Sequence, residues 1–303
     1  MPDLAILYEH PRWFLPLFAA LDARGVAYEA TNIGDHRYDP ASRDVPAPVV
    51  FNRVSMSSFL RADDHPIFYA GSLLARWESL GARIVNGPKA MAIDMSKARQ
   101  IGLLTDLGLA TPRTLVVHRA ADVPAAADAI GYPLIVKANI GGSGANVARY
   151  DGRGAVAAAV ADGSLPQSID RVLLVQDYVP PRGGTTTRVE TLGGRFLYGI
   201  DVASGGDTFD LCLADVCAVP GEIGMSVGTP PPQVIAGVEA IAAAMQLDVG
   251  GIEYMIDDRD GSPRFYDINV LSNFVADPLP LLGYDPHERL VDFLIAAIEE
   301  AKS

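Results

Sequence analysis

The sequence predicts a mixed α/β and α+β chain, with a parallel sheet first and antiparallel hairpin units after it. Three stretches carry that prediction. Up to about residue 88, short apolar strands alternate with helices, the pattern of a parallel sheet joined by crossover helices. From Thr114 to Asp177, strands and alanine-rich helices alternate around a glycine loop. From Gly250 to Phe274, GGIEYMIDDRDGSPRFYDINVLSNF reads as two strands joined by a tight polar turn.

Taken in order, Leu4 to Tyr8 is a strand, and Trp13 to Ala23 an apolar, helix-like stretch. Strands follow at Val26 to Thr31 and Pro48 to Asn52, then a helix from Phe68 to Leu80 and a strand from Arg83 to Val85. Ligands of such sheets lie beyond the carboxyl ends of the strands. That makes His10 and Arg53, each just past a strand, candidate substrate contacts, with an ordinary surface loop as the competing reading. Asp94 is expected to cap a helix running to about Leu107 and stopped by Gly108 and Pro112. Lys97, Ile101 and Leu104 then share one face. A lysine on a buried stripe needs an anion or an escape to solvent, and both stay open here.

The central unit reads strand (Leu115 to His118), helix, strand (Leu134 to Ala138), glycine loop, strand (Asn146 to Tyr150), helix, strand (Val172 to Gln176). At its heart, PLIVKANIGGSGANV places Lys137 on a strand just ahead of Gly141, Gly142, Ser143 and Gly144. Glycines let successive N–H groups curl around an anion, and a nearby lysine adds a mobile point charge suited to phosphate. The spacing matches neither a P-loop nor a dinucleotide fingerprint. A flexible hairpin is the plainer alternative.

After the strand ending in Gln176, Asp177, Tyr178 and Val179, TTTRVETLGGRFLYGID is a hairpin turning at Gly193 and Gly194. Arg188 alternates with Val189 and so points away from the apolar face. A proline-opened helix follows, with Val234, Val238, Ile241 and Met245 on one side. In the last hairpin, Ile252, Tyr254 and Ile256 alternate with Glu253, Met255 and Asp257; Tyr266, Ile268 and Val270 alternate with Asp267 and Asn269. A turn centred on Asp260 sets Glu253 opposite Asp267. Facing carboxylates repel, so a cation between them is expected, and an all-oxygen set suits Mg²⁺. A solvated hairpin with a polar outer face is the alternative. The final helix opens at Asp285-Pro286 and buries Leu290, Phe293, Leu294, Ala297 and Ile298.

Whole-chain properties narrow the function. With 303 residues, 49% hydrophobic and 20% charged, the chain is globular rather than disordered. A formal charge of −13 argues against nucleic acid or an anionic membrane as partner. Any phosphate ligand must be held by local positive charge. MPDLAILYEH shows no secretory leader and no apolar run is long enough to cross a bilayer, so a cytoplasmic protein is expected. Cys212 and Cys217 alone do not make a zinc site.

The order of features is specific: helix lysine, strand lysine with glycine loop, Gln-Asp-Tyr-Val, arginine strand, then a Glu…Asp-x-Asn hairpin. From about Asn86 to Asp277 it resembles the ATP-grasp superfamily of carboxylate–amine ligases. The branch it is most similar to is that of the ribosomal-protein glutamate ligases and the carrier-protein lysine-biosynthesis ligases. YDINVLSNF also resembles the corresponding stretch of bacterial glutathione synthetases.

The resemblance implies an ATP-grasp fold with a Rossmann-like domain at 1–88, a lid domain at 89–178 and a metal-bearing domain at 179–303. It implies ATP and Mg²⁺, or Mn²⁺, as cofactors. Lys97, Lys137 and the loop Gly141, Gly142, Ser143 and Gly144 would hold phosphates. Gln176, Asp177, Tyr178 and Val179 would frame the nucleoside, and Arg188 would steady the transferring phosphoryl group. Glu253, Asp267 and Asn269 would hold the metal. Arg53, Ser272 and Asn273 are candidate substrate contacts. The implied activity joins an amino acid or small peptide to an amine through an acyl phosphate, in a dimer or tetramer. A non-catalytic nucleotide sensor derived from such a ligase is the alternative. Two departures stand out. Thr186 occupies a position where the family has Asp, and Asp210 and Cys212 replace an Arg-x-Asn segment, with Asp215 close by.

Overall fold

The computed structural model describes residues 2–61, 64–142, 144–203 and 224–303. Strands β1 (Leu4–Tyr8), β2 (Tyr28–Asn32), β3 (Val49–Arg53) and β4 (Arg83–Val85) form a parallel sheet in the order β2-β1-β3-β4. Helix α1 (Leu15–Ala23) covers one face and α2 (Pro66–Ser79) the other, so the inner strands β1 and β3 are apolar on both sides.

Next come α3 (Pro88–Asp94) and α4 (Lys97–Asp106). The expected single helix capped by Asp94 is therefore two. Asp94 ends the first, and the cap of the second is Ser96, whose hydroxyl accepts from the Arg99 N–H at 3.3 Å. The break puts Lys97 at the first position of α4, at its mouth rather than on its flank.

The central unit contains β5 (Thr114–Val117), α5 (Val123–Ile130), β6 (Leu134–Ala138), β7 (Val147–Tyr150), α6 (Arg153–Asp162) and β8 (Leu173–Asp177). Its antiparallel sheet has the order β5-β8-β6-β7, and its small core joins Val123, Ala127 and Val156 to Leu134, Val136 and Val175.

The C-terminal unit is a five-stranded antiparallel sheet of β9 (Pro181–Leu192), β10 (Arg195–Ala203), β11 (Gly224–Gly228), β12 (Val249–Asp257) and β13 (Pro263–Asn269). Its helices are α7 (Pro232–Met245), α8 (Pro278–Leu282) and α9 (Pro286–Lys302). One face of the sheet packs on α7, burying Val189, Ile252, Tyr254 and Ile268 against Val234, Val238 and Ile241. The other face is divided. Along β10 it is apolar, and Tyr198, Ile200 and Val202 share a core with the N-terminal sheet and α9. Along β9, β12 and β13 it is polar and turned toward the central unit, leaving a cleft between them. At α9 the Asp285 carboxylate accepts from the His287 N–H at 2.9 Å, the cap the sequence announces. Among the described residues no helix is long and apolar enough to cross a membrane.

Candidate active site

The cleft holds a cavity of about 280 Å³. Every described residue expected to hold nucleotide or metal lines it, as do Ser272 and Asn273; His10 and Arg53 do not. Ser143, Asp210, Cys212 and Asp215 lie outside the described residues.

Its floor is the hairpin β12–β13, in which Glu253 pairs with Asp267 as the sequence register requires. The ladder then slips by one residue, so that Tyr254 faces Phe265 and Tyr266 is the extra residue of a bulge. The bulge reverses the expected alternation. Phe265 enters the core beside Tyr254, with ring centroids 6.0 Å apart, while Tyr266 lines the cavity. Burial first, and then the Glu253 charge, push the Tyr266 hydroxyl well above the usual phenol range.

The repulsion between Glu253 and Asp267 is answered by side chains of the protein itself. The Lys97 ammonium sits directly on Asp267 Oδ1. Arg188 Nη1 donates to Glu253 Oε1 at 3.0 Å, and its Nε donates to Glu190 Oε1 at 2.6 Å. The Asn269 amide N–H₂ bridges Glu253 Oε1 and Asp267 Oδ2 at 3.2 and 3.3 Å. Burial opposes ionisation of Asp267, but Lys97, Lys137 and Arg188 outweigh it and hold the carboxyl below its ordinary range. Glu253 is pushed up by burial and by Asp267. Burial would lower the Arg188 pKa, yet Glu190 and Glu253 more than offset it, so the guanidinium keeps its charge.

Arg188 lies flat over Gly251, where a Cβ would come within 2.3 Å of Nη2. Only glycine leaves room for it. Half-buried Asp94 completes the floor; burial and then the Asp267 charge raise its carboxyl to about 7.

The roof belongs to the central unit. Lys137 reaches in from β6, and the only hydrogen bond its ammonium makes among the described residues is a long one of 3.5 Å to the Tyr266 carbonyl. Burial, then repulsion from Lys97, bring it down to about 8. Two ammonium groups converging from α4 and β6, one with so little of its own to bind, form a receptor for an anion. The glycine loop springs from Asn139, whose Oδ1 accepts from the Ser96 hydroxyl and the Ala98 N–H at 3.0 and 2.9 Å. Its tip rests on the N-terminal unit, where a Cβ at Gly142 would lie 2.6 Å from the Ser57 Cβ.

At one end, Gln176, Asp177, Tyr178 and Val179 wall the cavity as β8 leaves the central unit. Gln176 donates to the Thr114 hydroxyl at 2.7 Å, and the Asp177 carboxylate pairs with Arg259 at 2.8 Å. At the other end stand Trp13, Ser55, Ser57, Ser272, Asn273 and Glu190. Arg53 lies behind this wall, 3% exposed between Phe14 and Phe51, and bonds the Ser272 carbonyl and Asn273 Oδ1. It shapes the wall rather than touching the cavity.

Sequence reasoning missed Asp94, Asn139, Glu190 and Tyr266. Glu190 had a signal, since it lies two residues from Arg188 on the same face of β9. The bulge at Tyr266 had none.

No protein-family model matches the chain. It is 29% identical over 131 residues to the probable alpha-L-glutamate ligase 2 of Shewanella frigidimarina, covering 43% of each chain. It is 29% identical over 203 residues to the ribosomal protein bS6–L-glutamate ligase of Shigella boydii, covering 67% of this chain and 64% of that one. The matches thus span less than half the length of the first relative and under two thirds of the second. A solved structure of the ATP-grasp ligase PsnB, with a phosphomimetic variant of its minimal precursor, Mg and ADP, aligns at a TM-score of 0.69 and 19% identity, over 98% of this chain and 100% of that one. The chain therefore has the ATP-grasp fold, and its sequence is similar to those of the alpha-L-glutamate and ribosomal-protein glutamate ligases.

Proposed function

We propose that this chain is an ADP-forming carbon–nitrogen ligase, which joins the carboxylate of an amino acid or small peptide to an amine through an acyl phosphate. One observation carries the reading. Lys97 and Lys137 converge from α4 and β6 on a pair of facing carboxylates, with Arg188 beside them, in a single cleft. Phosphoryl transfer needs chiefly positioning and charge neutralisation, and this set supplies both.

In this reading Lys137 and the glycine loop hold the phosphates from above, and Lys97 leaves Asp267 to meet them from below. Residues 176–179 frame the nucleoside. Glu253, Asp267 and Asn269 fit Mg²⁺ as an all-oxygen set once Lys97 has moved and the Asn269 amide turns its oxygen inward. Bound there, Mg²⁺ supplies further neutralisation of phosphate charge. Arg188, kept charged by Glu190 and Glu253, faces the group in transfer. The Gly142 contact with Ser57 closes the roof over the acyl phosphate and keeps water from it. Ser272 and Asn273 border the acceptor end, and Arg53 holds them in place.

The test is to mix protein, ATP and Mg²⁺ with pools of amino acids, follow phosphate release, and weigh the products. A product equal in mass to two substrates less one water supports the proposal. Tight ATP binding with no turnover on any pool would mark a nucleotide sensor instead.

A further inference from the structure

On β9, Glu190 sits one pleat beyond Arg188, opposite Gly251 where Arg188 sits opposite Glu253. Same-face positions of a strand are separated by about 6–7 Å. Glu190 therefore lies just past the metal-type carboxylates, on the side of the Ser272–Asn273 wall. It is 2% exposed and lines the cavity. Its Oε1 accepts from Arg188 Nε, but its Oε2 has no hydrogen-bond partner among the described residues. A buried, half-satisfied carboxylate is expensive and calls for an explanation.

Two acids of the floor already have work in the ligase reading. Glu253 and Asp267 belong to the metal, and Arg188 turns its charge to the phosphoryl group in transfer. Glu190 and Asp94 are then the acids left over, and Glu190 is the one that keeps an oxygen without a partner among the described residues. It stands where an incoming nucleophile must wait, beyond Arg188 and away from the phosphates. Across the wall, Arg53 holds Asn273 by its Oδ1 at 2.9 Å, so the N–H₂ end of that amide is the one left for the cavity. An acceptor oxygen and a donor N–H₂ at one end of a cleft match a molecule that carries an ammonium and a carboxylate close together.

We propose that Glu190 is the acceptor-amine subsite, where its Oε2 takes the ammonium of a free α-amino acid whose carboxylate is met by Asn273. The terminal torsion of a glutamate is broad and soft, so a small turn of the carboxylate brings that oxygen into the cavity. This assignment rests on the ligase reading for its geometry, but binding can be measured without turnover.

The experiment loads the protein with ADP and Mg²⁺ and follows binding of the common L-amino acids, and of their N-acetyl forms, by saturation-transfer NMR. At least one free amino acid should bind, and its N-acetyl form should not. Glu190→Gln should weaken that amino acid by roughly 30-fold, the scale of one hydrogen bond to a charged group. ADP affinity should change by less than about twofold on the same scale. Four results would overturn the proposal: no amino acid binds; the N-acetyl forms bind equally well; Glu190→Gln binds as the parent does; or ADP affinity falls in step, which would make Glu190 a mere support for Arg188. Phosphate release that needs both a carboxylate and an amine yet ignores Glu190→Gln would keep the ligase reading and end this one. Amino-acid binding that follows Glu190 in a protein without ATP turnover would do the reverse.

Discussion

Replacing Lys97 with methionine keeps the length of the side chain and removes the ammonium that neutralises Asp267 opposite Glu253. Asn269 bridges the two carboxylates with contacts of 3.2 and 3.3 Å, so the oxygens it joins lie within about 6.5 Å of each other. Two unit charges about 6 Å apart, at an effective dielectric of about 20, repel by roughly 3 kcal/mol. Without Lys97 the folded state carries that cost, and melting in EDTA should drop by about 6 °C, taking roughly 2 °C per kcal/mol for a chain of this size. A divalent ion relieves the same repulsion. Lys97→Met should therefore bind Mn²⁺ in the absence of nucleotide about 100-fold more tightly than the parent, the equivalent of roughly 3 kcal/mol. Melting with and without Mn²⁺, together with the free-Mn²⁺ resonance signal, reads both effects. Equal metal affinity in the two proteins, or a variant no less stable in EDTA, would refute the view that Lys97 stands in the place of the metal.

Three further outcomes follow from the same site. Asp267→Ala should abolish turnover while leaving the circular dichroism spectrum unchanged; retained activity would remove the metal assignment. Gly251→Ala brings a Cβ to within 2.3 Å of Arg188 Nη2 and must push the guanidinium aside. A shift of about 1 Å costs on the order of 100-fold in rate, so kcat should fall by that much with ATP affinity little changed. Lys137, brought to about 8 by burial and by Lys97, loses its proton as pH rises through that value in the free protein, whereas bound phosphate would keep it charged. ATP binding near pH 8 should then take up protons, and affinity should decline at higher pH. Calorimetry in buffers of different ionisation heat measures this, and the same uptake in Lys137→Met would contradict it.

Much of the site was legible because period-two alternation is a strong constraint. It placed Arg188 away from Val189, and it set Glu253 opposite Asp267 with Asn269 on the same face. Alternation failed at Tyr266, where a one-residue bulge reversed the pattern, and nothing in FYDIN distinguishes a bulged strand from a regular one. The break between α3 and α4 was missed because Asp94 and Ser96 are both good caps, and only tertiary packing chose between them. The sequence also gave no way to see that Lys97 and Arg188 would reach the acidic pair. They come from α4 and β9, and contacts between distant segments leave no local trace. Arg53 was expected at the substrate; it lies one layer behind, because its strand ends beneath Ser272 and Asn273 rather than beside the cleft.

The most direct measurement follows the carboxylate oxygens. Amino-acid pools labelled with oxygen-18 in their carboxyl groups are turned over with ATP, and the released phosphate is weighed. Activation of a carboxylate by phosphoryl transfer predicts one oxygen-18 in each phosphate released with product. Unlabelled phosphate, or release of AMP in place of ADP, would contradict it.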